Sequence, residues 1–205
     1  MITFTELYDK IYNNNISTDS RRFVEIVESS KIDLLALVDK FEPDNRSKVR
    51  RFVADYALNL ASMEYTKNSL IFLNKAVDLF QKDETFKGND LLNEPIYESL
   101  ILNRAKTYYV LDNYRRALND FKLLRNQFGS NDLYRKGYDA CMDKILTIFQ
   151  WITLSVLTIS ISSILLLELE AGLKSLMISV LVLSLILSVV LNFVQRKKRQ
   201  EQNKG

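Results

Sequence analysis

Cys141 is the one thiol in a chain of 205 residues, and the chain contains no histidine at all. Histidine is the commonest general base and metal ligand, because its imidazole titrates near neutral pH. Without one, Cys141 has no base to activate it and is expected to be a packed residue rather than a nucleophile. A single cysteine also forms no intramolecular disulfide and no cysteine metal cluster. Glu25 and Glu28 stand three apart, a spacing that in a helix makes a solvated acidic face. The five glycines, Gly88, Gly129, Gly137, Gly172 and Gly205, do not stand in a phosphate-cradling or dinucleotide-binding loop. No catalytic residue, metal or cofactor is expected, and an enzyme is not.

The basic cluster Arg46, Lys48, Arg50 and Arg51 has the charge to meet phosphates or anionic headgroups. Glu42, Asp44 and Asp55 lie close by, so the cluster reads as a solvated helix face, and no nucleic-acid partner is expected. Residues 1–144 hold 22 basic and 22 acidic side chains; the remainder holds 6 and 3, which accounts for the whole net charge of +3. The excess comes mainly from Arg196, Lys197, Lys198 and Arg199.

That basic run follows a long apolar region. Residues 145–167 and 175–194 carry no formal charge, and at 1.5 Å per helical residue they reach about 35 and 30 Å, enough to cross a hydrocarbon core. Between them, residues 168–174 include Glu168, Glu170 and Lys174, which are costly in lipid, and Gly172, which can turn. The expectation is a transmembrane helical hairpin with a loop at 168–174 and a basic tail at 195–205. Because basic residues flank the exit of the second span, the positive-inside rule puts the tail in the cytoplasm. Two spans return residues 1–144 to the same side, and the N-terminus lacks a signal-peptide pattern. Ser184, Ser188 and Asn192 stand four apart on one face. Small polar residues at that spacing let membrane helices pack closely, either within one hairpin or between copies.

Residues 1–144 read as helix throughout. Thr3 with Glu6 makes a capping box for a first helix. "RRFVEIVESS" and "IDLLALVDKF" follow, and Pro43 stops the run. "KVRRFVADYALNLASMEY" and "KNSLIFLNKAVDLFQK" form an expected antiparallel pair. After a polar linker at 82–94, Pro95 opens "IYESLILNRAKTYYVL", which pairs through Asp112–Asn113 with "YRRALNDFKLLRNQF", ending at Gly129. The fold class is all-α.

The second pair resembles a tetratricopeptide repeat. Counting from Glu98, Ala105 falls on the family's usual glycine and Tyr108 on its tyrosine, while Tyr114, Ala117 and Phe121 take the tyrosine, alanine and aromatic positions of the second helix. Ile101, Arg104, Leu124 and Gly129 depart from the pattern. A weaker copy counted from Arg50 places Ala57, Ser69, Leu73 and Ala76 on small and apolar positions, at an offset of 48 residues. The resemblance covers residues 46–130, with the flanking helices, including 132–144, as caps. It implies a concave face built from first helices that holds a protein partner. Carried onto this chain, that face comprises Ser99, Leu102, Asn103, Lys106 and Tyr109, with Arg51 and Leu58. Asn103 stands where a chaperone-binding subclass has a peptide-clamping asparagine, but Ala54 and Leu58 replace the matching lysine and asparagine.

The resulting expectation is a membrane-anchored adaptor: a cytoplasmic helical-repeat domain that binds an unknown protein, held by an integral hairpin with both termini cytoplasmic. The Asn-, Lys- and Ile-rich composition fits an AT-rich bacterial genome, and the membrane expected is a bacterial inner membrane. The alternative is an oligomerising two-span effector of the bacterial defence type, which disrupts the membrane when its helical domain senses a signal.

Overall fold

The computed structural model describes residues 3–30, 32–38, 45–83, 86, 91, 94–166 and 171–202. They are helical with no strand among them: α1 (Phe4–Tyr12), a 3-10 turn (Ile16–Thr18), α2 (Ser20–Ser29), α3 (Leu34–Val38), α4 (Arg46–Ser62), α5 (Thr66–Gln81), α6 (Pro95–Val110), α7 (Tyr114–Gln127), α8 (Asp132–Leu166) and α9 (Ala171–Gln202). Pro43 and most of the 82–94 linker lie outside the described residues. The chain divides into two compact units, Met1–Tyr138 and Asp139–Gly205.

Local signals start these helices as expected. The Thr3 hydroxyl accepts from the Glu6 backbone N–H, and the Glu6 carboxylate accepts from the Thr3 N–H at 2.8 Å, a complete capping box. Those bonds to Thr3 hold the exposed Glu6 carboxyl below its ordinary value. Asp19 caps α2 through Arg22, and Pro95 occupies the first turn of α6, where its missing N–H costs nothing.

In the first unit α4 packs on α5, α5 on α6, α6 on α7, and α4 also on α6. The two pairs end their first helices in the same way. After α4 the Tyr65 N–H reaches Leu60 O and the Glu64 N–H reaches Ala61 O; after α6 the Asn113 N–H reaches Tyr108 O and the Asp112 N–H reaches Tyr109 O. This crossed pair of bonds needs one residue in the left-handed region. Glu64 (φ 62°) and Asp112 (φ 58°) supply it without a glycine. The matching residues stand 48 positions apart in every case, so the offset seen between the two sequence copies is also a backbone repeat. Connections of three residues force the partners antiparallel.

Small residues sit at the crossings. Ala57, Ala76, Ala105 and Ala117 are fully buried, as are Ser69 and Leu73, and Tyr108 and Phe121 are nearly so. The core around them is aromatic: Phe52 meets Phe4 and Phe23, and Phe80 meets Tyr97. Arg104, at an apolar position in the family pattern, crosses from α6 to Asp120 of α7 through two parallel bonds of 2.8 and 2.7 Å. Burial pushes the Asp120 carboxyl up, and the guanidinium fork opposes that shift. α8 begins inside this unit. The Tyr134 hydroxyl donates to Glu98 of α6, and burial together with that carboxylate raises the phenol to about 12. Gly137 lies directly under the Phe121 ring of α7, and Arg125 stacks 3.9 Å from the Tyr138 ring centre.

The second unit holds the rest of α8 and all of α9. α8 runs unbroken from Asp132 to Leu166, and the boundary between the units falls within it, after Tyr138. Residues 171–174, part of the expected loop, are helical, with open space around Gly172; residues 167–170 lie outside the described residues. α9 continues through Arg196–Arg199 to Gln202. By length and composition α8 is apolar enough to cross a membrane, whereas the described apolar stretch of α9, Ser175–Leu191, is shorter.

Two substitutions test this packing. Gly137→Ala should destabilise the first unit by about 1–3 kcal/mol, because the new Cβ must displace a buried ring and this outweighs the roughly 1 kcal/mol helix preference of alanine. Asp120→Ala should cost about 3 kcal/mol by leaving Arg104 buried and unpaired, while Arg104→Leu with Asp120→Val should recover most of it. Urea unfolding of the full chain, followed by Tyr and Trp fluorescence, measures both.

Candidate partner-binding surface

The face expected from α4 and α6 is only partly continuous. On α6, Ser99, Leu102, Asn103, Lys106 and Tyr109 recur at three- and four-residue spacing and share one stripe. Its opposite side, Tyr97, Leu100, Ile101, Ala105 and Tyr108, is buried. Lys106 and the adjoining Val110 are exposed, the latter by 66%. The Asn103 amide donates to Ser99 O at 2.8 Å, so its nitrogen is engaged within its own helix. Tyr109 stands edge-to-face with Tyr114, at 5.3 Å between ring centres. Leu102 is half-buried against the core. The stripe therefore offers an apolar floor, one amide oxygen and one cation.

On α4 the picture differs. Leu58 is half-buried against the core, and Arg51 lies against α1, its guanidinium carbon 4.9 Å from the Tyr12 ring centre. The Tyr12 hydroxyl donates to Asp55, whose carboxyl is pushed up by burial; burial with the Asp55 charge raises the Tyr12 phenol as well. Arg51 thus lies on a surface that α1 borders, and Lys106 is the exposed member of the α6 row.

The basic cluster does not form one solvated face. Arg50 turns inward, its guanidinium carbon 4.9 and 4.8 Å from the Phe80 and Phe86 ring centres, and it pairs with Asp83. Burial lowers its pKa from the arginine value. Arg46, Lys48 and Arg51 remain outside. The sequence carries a signal for this, since Arg50 stands one turn before the fully buried Ala54 and Ala57 and thirty-odd residues before the Phe80–Asp83–Phe86 group; helical periodicity alone does not reveal it.

In the second unit Ser184 is buried at 8% exposure and Ser188 is half-buried. The side chains of Asn192, Arg196, Lys197, Lys198 and Arg199 lie outside the described residues. On α8 the buried residues past Cys141 are Thr153, Leu157 and Ser160, at four- and three-residue spacing on one face. This face was hidden in the sequence among the seven serine and threonine hydroxyls of residues 145–167. The Ser155, Thr158 and Ser179 hydroxyls outside it bond back to carbonyls four residues earlier and are satisfied within their helices. Large apolar side chains cover the outside: Trp151, Ile159, Leu183, Val189 and Phe193 are each at least 63% exposed.

No group of acidic, histidine or cysteine side chains suited to a metal ion occurs among the described residues. Cys141 is buried. No family model, curated protein or solved structure matches this chain.

The contrast between the two sides of α6 has a direct test. Lys106→Ala should change unfolding free energy by about 0.5 kcal/mol or less, while Leu100→Ala, two turns away on the inner side, should cost about 2–5 kcal/mol. Similar losses at both positions, measured by chemical denaturation, would remove the open face.

Proposed function

We propose that this chain is a membrane-anchored adaptor, in which the first unit binds a protein partner on the cytoplasmic side and the second unit holds it in the bilayer as a two-helix anchor. The observation that carries the reading is the inverted burial of the second unit. Its covered residues are mostly hydroxylic, Thr153, Ser160 and Ser184, while isoleucine, leucine, valine, tryptophan and phenylalanine face outward. In water such a surface would drive aggregation, since an exposed apolar patch of this extent is unstable. In lipid it is the favoured arrangement, because acyl chains solvate the outer face and small polar residues let the helices close on each other.

The first unit supports the binding half. Repeated antiparallel helix pairs with buried alanines at their crossings are how tetratricopeptide-type arrays are built, and their first helices carry the ligand face. Here that role goes to the α6 row around Leu102, Lys106 and Tyr109. The pore-forming alternative relied on serines free to join copies; burial of Ser184 within a single chain favours the anchor.

The test is chemical crosslinking of the tagged full-length protein in its own membrane, after alkaline extraction has established that it stays with the lipid. The expected outcome is one stoichiometric foreign protein, lost when Leu102→Asp and Tyr109→Ala are combined. A ladder of self-crosslinked chains would sink the adaptor reading. Membrane leakage abolished by Ser184→Leu with Ser188→Leu would put the effector in its place.

A further inference from the structure

Arg104, Arg50 and Arg51 of the first unit each lie near an acid, and they use their donors differently. Arg104 gives its fork to Asp120, and Arg50 lies against two phenylalanine rings and pairs with Asp83. Arg51 is the exception. Its nearest carboxylate oxygen, Asp55 Oδ2, is 3.8 Å away, beyond hydrogen-bonding range. That same oxygen accepts the Tyr12 hydroxyl. The Arg51 side chain is 58% exposed, with its plane held over the Tyr12 ring. One turn earlier on α4, the exposed Lys48 ammonium stands 5.6 Å from the Tyr8 ring centre. The two rings lie 4.3 Å apart, so one tyrosine pair holds two cations side by side.

We propose that Lys48 and Arg51 form a docking point for the carboxylates of an acidic segment in the protein partner. This deepens the adaptor reading and rests on it. Three features fit that ligand. A guanidinium with an open planar fork matches a carboxylate bidentately, and an ammonium three residues away on the same helix face takes the next one. Stacking on the tyrosines fixes both cations in advance, which lowers the ordering cost of binding. Tyr12 occupies Asp55, the acid nearest Arg51 among the described residues. A short acidic peptide suits the site better than a lipid surface, because exposed Glu6 and Asp9 on α1 would repel an extended anionic sheet while leaving room for a local contact.

The probe is fluorescein-labelled hexaglutamate, with hexaglutamine as its neutral control, titrated against the full-length protein in uncharged nanodiscs at low salt. Hexaglutamate should bind and hexaglutamine should not, with affinity falling as salt rises. Arg51→Gln should weaken binding about tenfold, the equivalent of one lost charge-assisted contact, and Arg51→Lys should fall between. Tyr12→Phe is the sharper variant. It keeps the ring under Arg51 but releases Asp55, which then competes for the fork, so binding should weaken several-fold. Asp55→Asn should tighten it. Thermal unfolding confirms that each variant is folded.

Equal binding of the two peptides, or wild-type affinity in Arg51→Gln or Tyr12→Phe, would overturn the site. So would binding to phosphatidylglycerol vesicles through Lys48 and Arg51 with none to the peptide. The two readings fail separately: a crosslinked partner retained by Arg51→Gln keeps the adaptor and removes this docking point, whereas a self-ladder removes the adaptor whatever the peptide does.

Discussion

Two helices come into close contact only where one of them carries a small side chain, because a Leu or Phe at a crossing holds the axes apart. The first unit depends on that constraint. Ala57 and Ala76 lie in one helix pair, Ala105 and Ala117 in the next, and Gly137 where α8 meets α7; all four alanines are fully buried. Large residues then fill the space beside each crossing, Phe52 and Phe80 in one half and Tyr108 and Phe121 in the other. At Gly137 even a methyl group would overlap the Phe121 ring. Interiors packed to crystal-like density have no slack to absorb it.

Close packing also decides which polar groups can be buried and how. Arg104 and Asp120 survive in the α6–α7 interface because each satisfies the other in a planar, two-bond arrangement. A buried pair of this kind contributes little net stability against an apolar isostere, yet it punishes mispairing severely. The pair therefore helps fix how α7 lies on α6. Arg50 shows a second solution, in which aromatic faces and one carboxylate replace water around a guanidinium. Arg51, one residue along and about 100° round the helix, is 58% exposed.

The second unit has the opposite solvent preference: its buried side chains are mostly hydroxylic, and its exterior is apolar. A single hydropathy scan sees only two greasy stretches, because side chains on the inner and outer faces are averaged together. The buried face of Thr153, Leu157 and Ser160 appears once the faces are separated, although the Thr153 hydroxyl bonds back within its helix just as Ser155 and Thr158 do.

Much of this was legible in the residues. The capping box at Thr3 and Glu6, Pro95 at a helix start, and the stop at Asp112–Asn113 are local signals, read from a few neighbouring side chains, and the helices obey them. The 48-residue offset was visible as alanine spacing and reappears in the backbone at Glu64 and Asp112. The α6 row was also legible, since helical periodicity separates its two faces. What only the tertiary structure decided are the long-range choices. Gly172 looked like a turn, yet it lies in the first turn of α9, where residues 171–174 are already helical. Arg46, Lys48, Arg50 and Arg51 looked equivalent because charge carries no direction in a sequence. Asp83 with Phe80 and Phe86 claimed one of them, and Tyr8 and Tyr12 positioned two others. Those partners lie some thirty to forty residues away along the chain, and only folding brings them into reach.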